Sequence, residues 1–152
     1  MTSLEQGARE LETVARRMKA VGRGDLRKEL LKGIRVAAKP AVQDVKASAR
    51  ANLPRRGGLA DQVARSSFGV RTRLTGNSAG VRIAGTSRSV KSLRAINEGR
   101  LRHPVFGNRK VWREQRLEPG FFTDPIEKRA PEIRRGIQQV MTKIANDVER
   151  GI

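Results

Sequence analysis

A single stripe of aliphatic and small residues, Leu26, Leu30, Ile34, Ala37, Ala41, Val45 and Ala49, keeps a spacing of three or four positions without a break. Only an α-helix puts such positions on one face. Counted to Asn52, about 28 residues at 1.5 Å each predict a rod of about 42 Å. Asp25 suits its N-cap. Pro40 lies inside the stripe and should kink or divide the rod, because proline removes one bond of the helical ladder. In a chain of 152 residues, about the size of one domain, such a rod sets the architecture.

Two further helices are predicted. Ser3 and Gln6 stand at capping-box spacing, and Leu4, Ala8, Leu11, Ala15 and Met18 follow at helical intervals, so a helix over about 3–21 should end at Gly22-Arg23-Gly24. At the other end, Asp124-Pro125-Ile126-Glu127 offers an N-cap, a proline at the first helical position and a glutamate two residues later. Ile126, Ala130, Ile133, Ile137, Val140, Ile144 and Val148 then recur at near-heptad spacing, with Pro131 interrupting the first turns.

Between them the period changes to two. Phe68, Val70, Thr72 and Leu74 alternate with Gly69, Arg71, Arg73 and Thr75, and Val81-Arg82-Ile83-Ala84 follows the turn-rich run from Gly76 to Gly80. A β-hairpin fits this pattern. Its alternation places Arg71, Arg73 and Arg82 opposite Val70, Val81 and Ile83. Pro54 and Gly57-Gly58 stop the helical pattern and open a basic loop with Arg55 and Arg56 before the hairpin. Residues 86–122 read as a long functional connection, with a short helix near 90–97 and an extended stretch around His103-Pro104-Val105-Phe106. The expectation is one α+β domain over residues 1–152: helices in 1–53, a basic hairpin and long loop in 54–122, and a C-terminal helix in 123–152, the long helices packing on a small antiparallel sheet.

Charge narrows the function. Lys and Arg number 33 against 15 Asp and Glu, a net +18. Residues 54–116 hold 15 basic and 3 acidic groups, whereas residues 117–152 hold 6 of each. Such clustering favours a surface that faces phosphate or an acidic protein, although a solvated face or an arginine-biased genome would look the same. Of the basic groups 24 are Arg, which suits bidentate contacts. Stacking on bases is disfavoured, because Phe68, Phe106, Trp112, Phe121 and Phe122 are the only aromatic residues. A helix-turn-helix in residues 3–52 is disfavoured by the length of both helices.

Catalysis has little to work with. His103 is the only histidine and cysteine is absent, so neither a triad nor a thiol-based metal site can be assembled locally, and the basic middle has too few carboxylates for paired-acid or two-metal hydrolysis. No phosphate-binding glycine loop of the Walker type occurs. The chain is expected to be no enzyme and to bind no cofactor or metal. Its opening lacks a basic and then apolar leader, and no apolar run reaches the roughly 18 residues of a membrane span; it is expected to be soluble, unexported and off membranes. Phe106, Trp112, Phe121 and Phe122 lie outside any periodic stripe. Core filling and partner contact are both open to them, with Phe121 and Phe122 placed in the core and Trp112 at a contact.

The order of short motifs carries a resemblance. A long Ala-rich helix ends at Leu53-Pro54, Gly58-Leu59 precedes the basic hairpin, Asn97-Glu98-Gly99 follows, and Pro119-Gly120-Phe121-Phe122 leads through Asp124-Pro125-Ile126 into the last helix. This resembles the tail-completion or neck proteins of long-tailed, non-contractile bacteriophages, over nearly the whole chain. Arg100 departs from the pattern, a small hydroxyl residue being common there, and the segment from His103 to Gln115 is longer. The resemblance implies an α+β fold whose copies form a ring at the head-to-tail junction, with DNA passing through or near it. It also implies structural roles for Glu98, Gly99, Phe121, Phe122 and Pro125.

The expectation is therefore a structural virion protein, a ring-forming tail-completion or head-to-tail connector component. Its partners would be its own copies, neighbouring neck and tail proteins such as head-completion and tail-terminator proteins, and, without sequence preference, packaged DNA. It would reside at the head-tail junction of the virion and, during assembly, in the host cytoplasm. Arg71, Arg73 and Arg82 are expected to face DNA or an acidic neighbour, and His103, Phe106 and Trp112 to make subunit or partner contacts, in an arm that orders on assembly. The alternative is a nucleoid- or ribosome-associated protein that binds nucleic acid without reading sequence.

Overall fold

The computed structural model describes residues 3–20, 22–75 and 79–151, and of residues 3–5 the backbone only. The Ser3 side-chain cap and residues 76–78 of the first hairpin turn lie outside the described residues. The fold is α+β. In chain order come α1 (Ser3–Ala20), α2 (Gly24–Asn52), α3 (Leu59–Ala64), β1 (Ser67–Arg73), β2 (Gly80–Thr86), α4 (Leu93–Asn97), β3 (Arg100–Val105), β4 (Asn108–Arg116) and α5 (Thr123–Arg150). Among the described residues β1 pairs with β2 and β3 with β4, as two small sheets. No described helix is long and apolar enough to cross a membrane.

Two compact units form, one from residues 1–40, 70–84 and 130–152, the other from residues 41–69 and 85–129. In the first, Met18 of α1, Leu30 and Ile34 of α2 and Ile144 of α5 are fully buried, with Val70, Val81, Ile137 and Val140 packed against them. Close approach of α2 and α5 requires Gly33, where a Cβ would stand 2.6 Å from Val140 Cγ1, well inside van der Waals contact. Lys143 of α5 reaches the Glu29 carboxylate at the rim.

The start of α2 lies in this unit. Asp25 sits one residue inside the helix rather than at its cap, and its carboxylate accepts from Arg23 Nε at 2.9 Å and Nη2 at 2.7 Å. Those hydrogen bonds hold the Asp25 carboxyl down from 3.8 to about 2. Because the folded value is the lower one, the pair contributes stability above pH about 4 and loses it as pH falls toward 2. Side-chain carboxyl NMR should find Asp25 titrating below the ordinary aspartate range, and Arg23→Gln should return it to that range.

In the second unit, Val45, Ala49 and Leu53 of α2 meet Ala60, Val63 and Ala64 of α3, Ile96 of α4 and Phe121. Phe68 stacks on Phe122 with centroids 5.9 Å apart, so both Phe121 and Phe122 serve the core, as expected. Arg129 Nε reaches Asp44 at 2.7 Å.

Three local expectations are corrected. The basic loop after Pro54 contains α3, whose buried face is only Ala60, Val63 and Ala64, too short a stripe to show as a period. Residues 86–122 hold the expected short helix as α4, capped by Ser92 accepting from Ala95 N at 3.1 Å, and the expected extended stretch as β3, but the connection read after it is a second strand, β4, paired with β3 in a hairpin. Every residue of β4 is exposed, so no apolar alternation marks it. Finally, α5 begins at Thr123, ahead of the Asp124 cap. The amides of Phe122 and Thr123 instead donate to Asn97 Oδ1 at 2.9 and 3.2 Å, a side chain from another segment that satisfies donors no intrahelical carbonyl can reach. Pro40 does not divide α2, and Pro131 lies within α5.

Candidate interaction surfaces

The first surface belongs to the β1–β2 hairpin. Arg71 is exposed between half-buried Val70 and Thr72, Arg73 between Thr72 and buried Leu74, and Arg82 between half-buried Val81 and Ile83. Since Val70 and Val81 pack on the core of the first unit, strand alternation puts the three guanidinium groups on the opposite, outward side. This is the placement expected from the sequence.

The second surface is the β3–β4 hairpin of the second unit. Its antiparallel register pairs Arg100 with Arg116, Leu101 with Gln115, Arg102 with Glu114, His103 with Arg113, and Pro104 with Trp112, then shifts so that Val105 meets Asn108. Side chains alternate across a strand pair, so Arg100, Arg102, Pro104, Trp112, Glu114 and Arg116 share one face. Leu101 and His103 belong to the other, and Leu101 packs on the core. The register shift leaves Arg109, Lys110 and Val111 unpaired across the hairpin, in a bulge that Trp112 Nε1 ties down by donating to the Arg109 carbonyl at 2.7 Å.

Trp112 is 37% exposed and lies close to two cations, with Arg102 5.5 Å and Lys91 5.8 Å from the ring centroid. Each such contact contributes about 0.5–1 kcal/mol at an exposed site. Arg102 is its diagonal same-face neighbour on β3, which period-two alternation through His103 could have suggested; Lys91 precedes α4, and nothing in the sequence pairs it with Trp112. Phe106 sits at the tip, 102% exposed, with φ of 48°, a left-handed conformation that strains a bulky side chain.

The three expected contact residues therefore do not converge. Trp112 lies on one face of the hairpin, Phe106 at its tip, and half-buried His103 on the other face, with Nδ1 3.2 Å from the Pro104 carbonyl. Among the described residues no group of three or more His, Cys, Asp or Glu side chains could hold a metal.

The base of the hairpin joins two of the motifs. Gly99 O accepts from Leu117 N and Asn97 O from Gly120 N, both at 2.8 Å, so Asn97-Glu98-Gly99 is bonded directly to the approach of α5. Glu98 receives both Arg94 and Arg100, and the Arg100 guanidinium in particular holds its carboxyl below the usual range. Gly99 has φ of 85°, and a Cβ there would stand 2.9 Å from the Leu117 carbonyl oxygen. Gly99→Ala should therefore lower stability by about 1–2 kcal/mol from the left-handed backbone alone, more once the carbonyl is displaced, and denaturant titration should register the loss. An unchanged midpoint would contradict this junction.

No protein-family model, no curated protein and no solved structure matches this chain.

Proposed function

We propose that this chain is a non-enzymatic structural protein of a phage particle, a ring component that completes the tail and joins it to the head. The observation that carries the reading is the β3–β4 hairpin. It presents a strand exposed at all nine positions and an aromatic ring held in a strained conformation with no burial to offset it. An isolated subunit gains nothing from such a tip, whereas a neighbour that covers it recovers the burial of a whole phenyl ring. The motif order from Leu53-Pro54 to Asp124-Pro125 supports the same reading.

In this proposal the hairpin makes heterologous contacts that close a ring. Neighbouring neck and tail proteins, among them head-completion and tail-terminator proteins, would seat above and below, and packaged DNA would meet the arginines without sequence preference. The site of action is the head-tail junction of the virion, reached from the host cytoplasm during assembly. Negative-stain imaging of lysates tests it, with the gene disrupted in its phage genome and restored from a plasmid. Full heads and separate tails, joined only when the plasmid is present, are the expected result; normal particles from the disrupted genome would overturn it.

A second reading has its own observation, the outward face of Arg71, Arg73 and Arg82. A sequence-independent nucleic-acid binder would bind duplex or RNA tightly as a single subunit, and log K would fall with log salt at about −0.9 per phosphate neutralised on B-DNA. A ring component would bind weakly until its copies are brought together.

A further inference from the structure

We infer that the second unit carries a phosphate-binding cleft, separate from the arginine face of the β1–β2 hairpin and from the β3–β4 hairpin, and that its ligand is the phosphodiester backbone of a nucleic acid. The inference does not rest on the ring reading. The cleft has a volume of about 740 Å³ and lies where α3 ends, β1 begins and β2 runs into the segment before α4. Arg65 and Arg88 line it, and the other lining residues are Gln62 and five hydroxyl side chains, Ser66, Ser67, Thr86, Ser87 and Ser89. No carboxylate contributes to the lining. Asp61, next to it in sequence, is directed to Arg50 at 3.9 Å.

The internal bonding occupies the acceptors of this wall, using the Ser66 hydroxyl but leaving the guanidinium donors. A helix C-terminus ordinarily presents carbonyls and negative potential, which would repel an anion. Here Asp61 O accepts from Arg65 N at 2.9 Å, Val63 O from Ser66 N at 3.0 Å and Gln62 O from the hydroxyl of buried Ser66 at 3.1 Å. Those three acceptors are therefore already occupied. Ser87 Oγ accepts from Val90 N at 3.1 Å and lies 3.4 Å from Ser89 Oγ; if one hydroxyl donates to the other, the pair still has one proton to give. Among the described residues neither Arg65 nor Arg88 has an ion pair or side-chain hydrogen bond.

Two uncommitted guanidinium forks flanked by serine and threonine hydroxyls form the donor set that phosphate oxygens select. The volume and the two separate arginines suit a run of backbone phosphates better than one free ion. With no aromatic side chain in the lining, bases have nothing to stack on, so contact would be independent of sequence.

The test is a heteronuclear NMR titration of the full chain with the dinucleotide thymidylyl-thymidine, which holds one phosphodiester, and in parallel with inorganic phosphate, at constant ionic strength. Expected are saturable shifts of the amides of Ser66, Ser67, Ser87 and Ser89 and of the Nε–Hε signals of Arg65 and Arg88. Affinity should fall at least tenfold in R65Q/R88Q and less than twofold in R134Q/R135Q, two exposed arginines of α5. Both arginines are exposed, so R65Q/R88Q should keep a dispersed spectrum; the single variants, each losing part of the affinity, supply the same test if it does not. Unsaturable shifts spread over every exposed arginine, or unchanged affinity in R65Q/R88Q, would overturn the site. Saturation by inorganic phosphate with no response to the dinucleotide would overturn the nucleic-acid source.

Discussion

Ile144→Asp is expected to abolish the cooperative unfolding of the first unit, leaving a chain with helical circular dichroism but no sharp thermal transition from that core. Ile144 is 0% exposed and shares its cluster with Leu30, Ile34, Met18 and Met141. None of those neighbours can hydrogen-bond a carboxylate. An ion placed there without a partner carries a penalty of several kcal/mol even after relaxation, on top of the lost burial of the isoleucine, against a typical domain stability of about 5–15 kcal/mol. Ile144→Ala separates the two contributions. It creates a cavity without a charge and should cost about 2–5 kcal/mol, which corresponds to a drop in Tm of roughly 4–20 °C for a chain of this size. Ile144→Leu keeps the volume and should cost less than about 1.5 kcal/mol. A parent-like melt for the aspartate variant would mean that α5 does not supply this core.

The three long helices, α1, α2 and α5, could be read in the sequence because each buries one face along its length, which leaves a stripe at the period of the helix. The arginines of β1 and β2 were placed by the same logic at period two. What the stripe of α2 does not record is a change of partners along it: Leu26, Leu30 and Ile34 enter one core, and Val45, Ala49 and Leu53 another. Periodicity reports which side of an element is covered and says nothing of what covers it.

Of the β3–β4 hairpin only β3 shows in the sequence, as an extended stretch, and β4 escaped notice for the complementary reason. A strand exposed at every position has no burial to impose alternation, and Arg109-Lys110 and Arg113 give β4 the look of a basic loop. The irregular register at Pro104 and Val105 further hides the pairing. Asn97 illustrates a third limit. Its side chain caps α5 from 25 residues away, while the local cap signal at Asp124 pointed to a position one residue inside the helix. The cleft around Arg65 and Arg88 was equally unreadable, since its lining joins residues 62–67 to residues 86–89 across the β1–β2 hairpin.

If the chain is the ring component proposed above, removing the two exposed aromatic side chains of the β3–β4 hairpin should cost the particle far more than it costs the subunit. Phe106→Asn deletes the ring while keeping a residue that tolerates a positive φ, and Trp112→Ala deletes the indole close to Lys91 and Arg102. In the isolated chain Phe106 is fully exposed and contributes no burial; Trp112, 37% exposed, loses two cation contacts of about 0.5–1 kcal/mol each and the burial of its covered part. The Tm of the double variant should therefore stay within roughly 10 °C of the parent. At an interface the same aromatic anchors are each worth about 2 kcal/mol or more, and in a closed ring the loss recurs at every contact. Plasmid-borne F106N/W112A should consequently fail to restore infectious particles to a phage disrupted in this gene, although the variant protein accumulates and folds. Trp112 is the only tryptophan, so in the parent its emission also reports directly: assembly that covers the hairpin should shift it to shorter wavelength. Were Trp112→Ala alone to melt the isolated subunit, the residue would belong to the fold and the contact reading would fail. Particles joined normally by F106N/W112A would instead move the ring contacts to another surface.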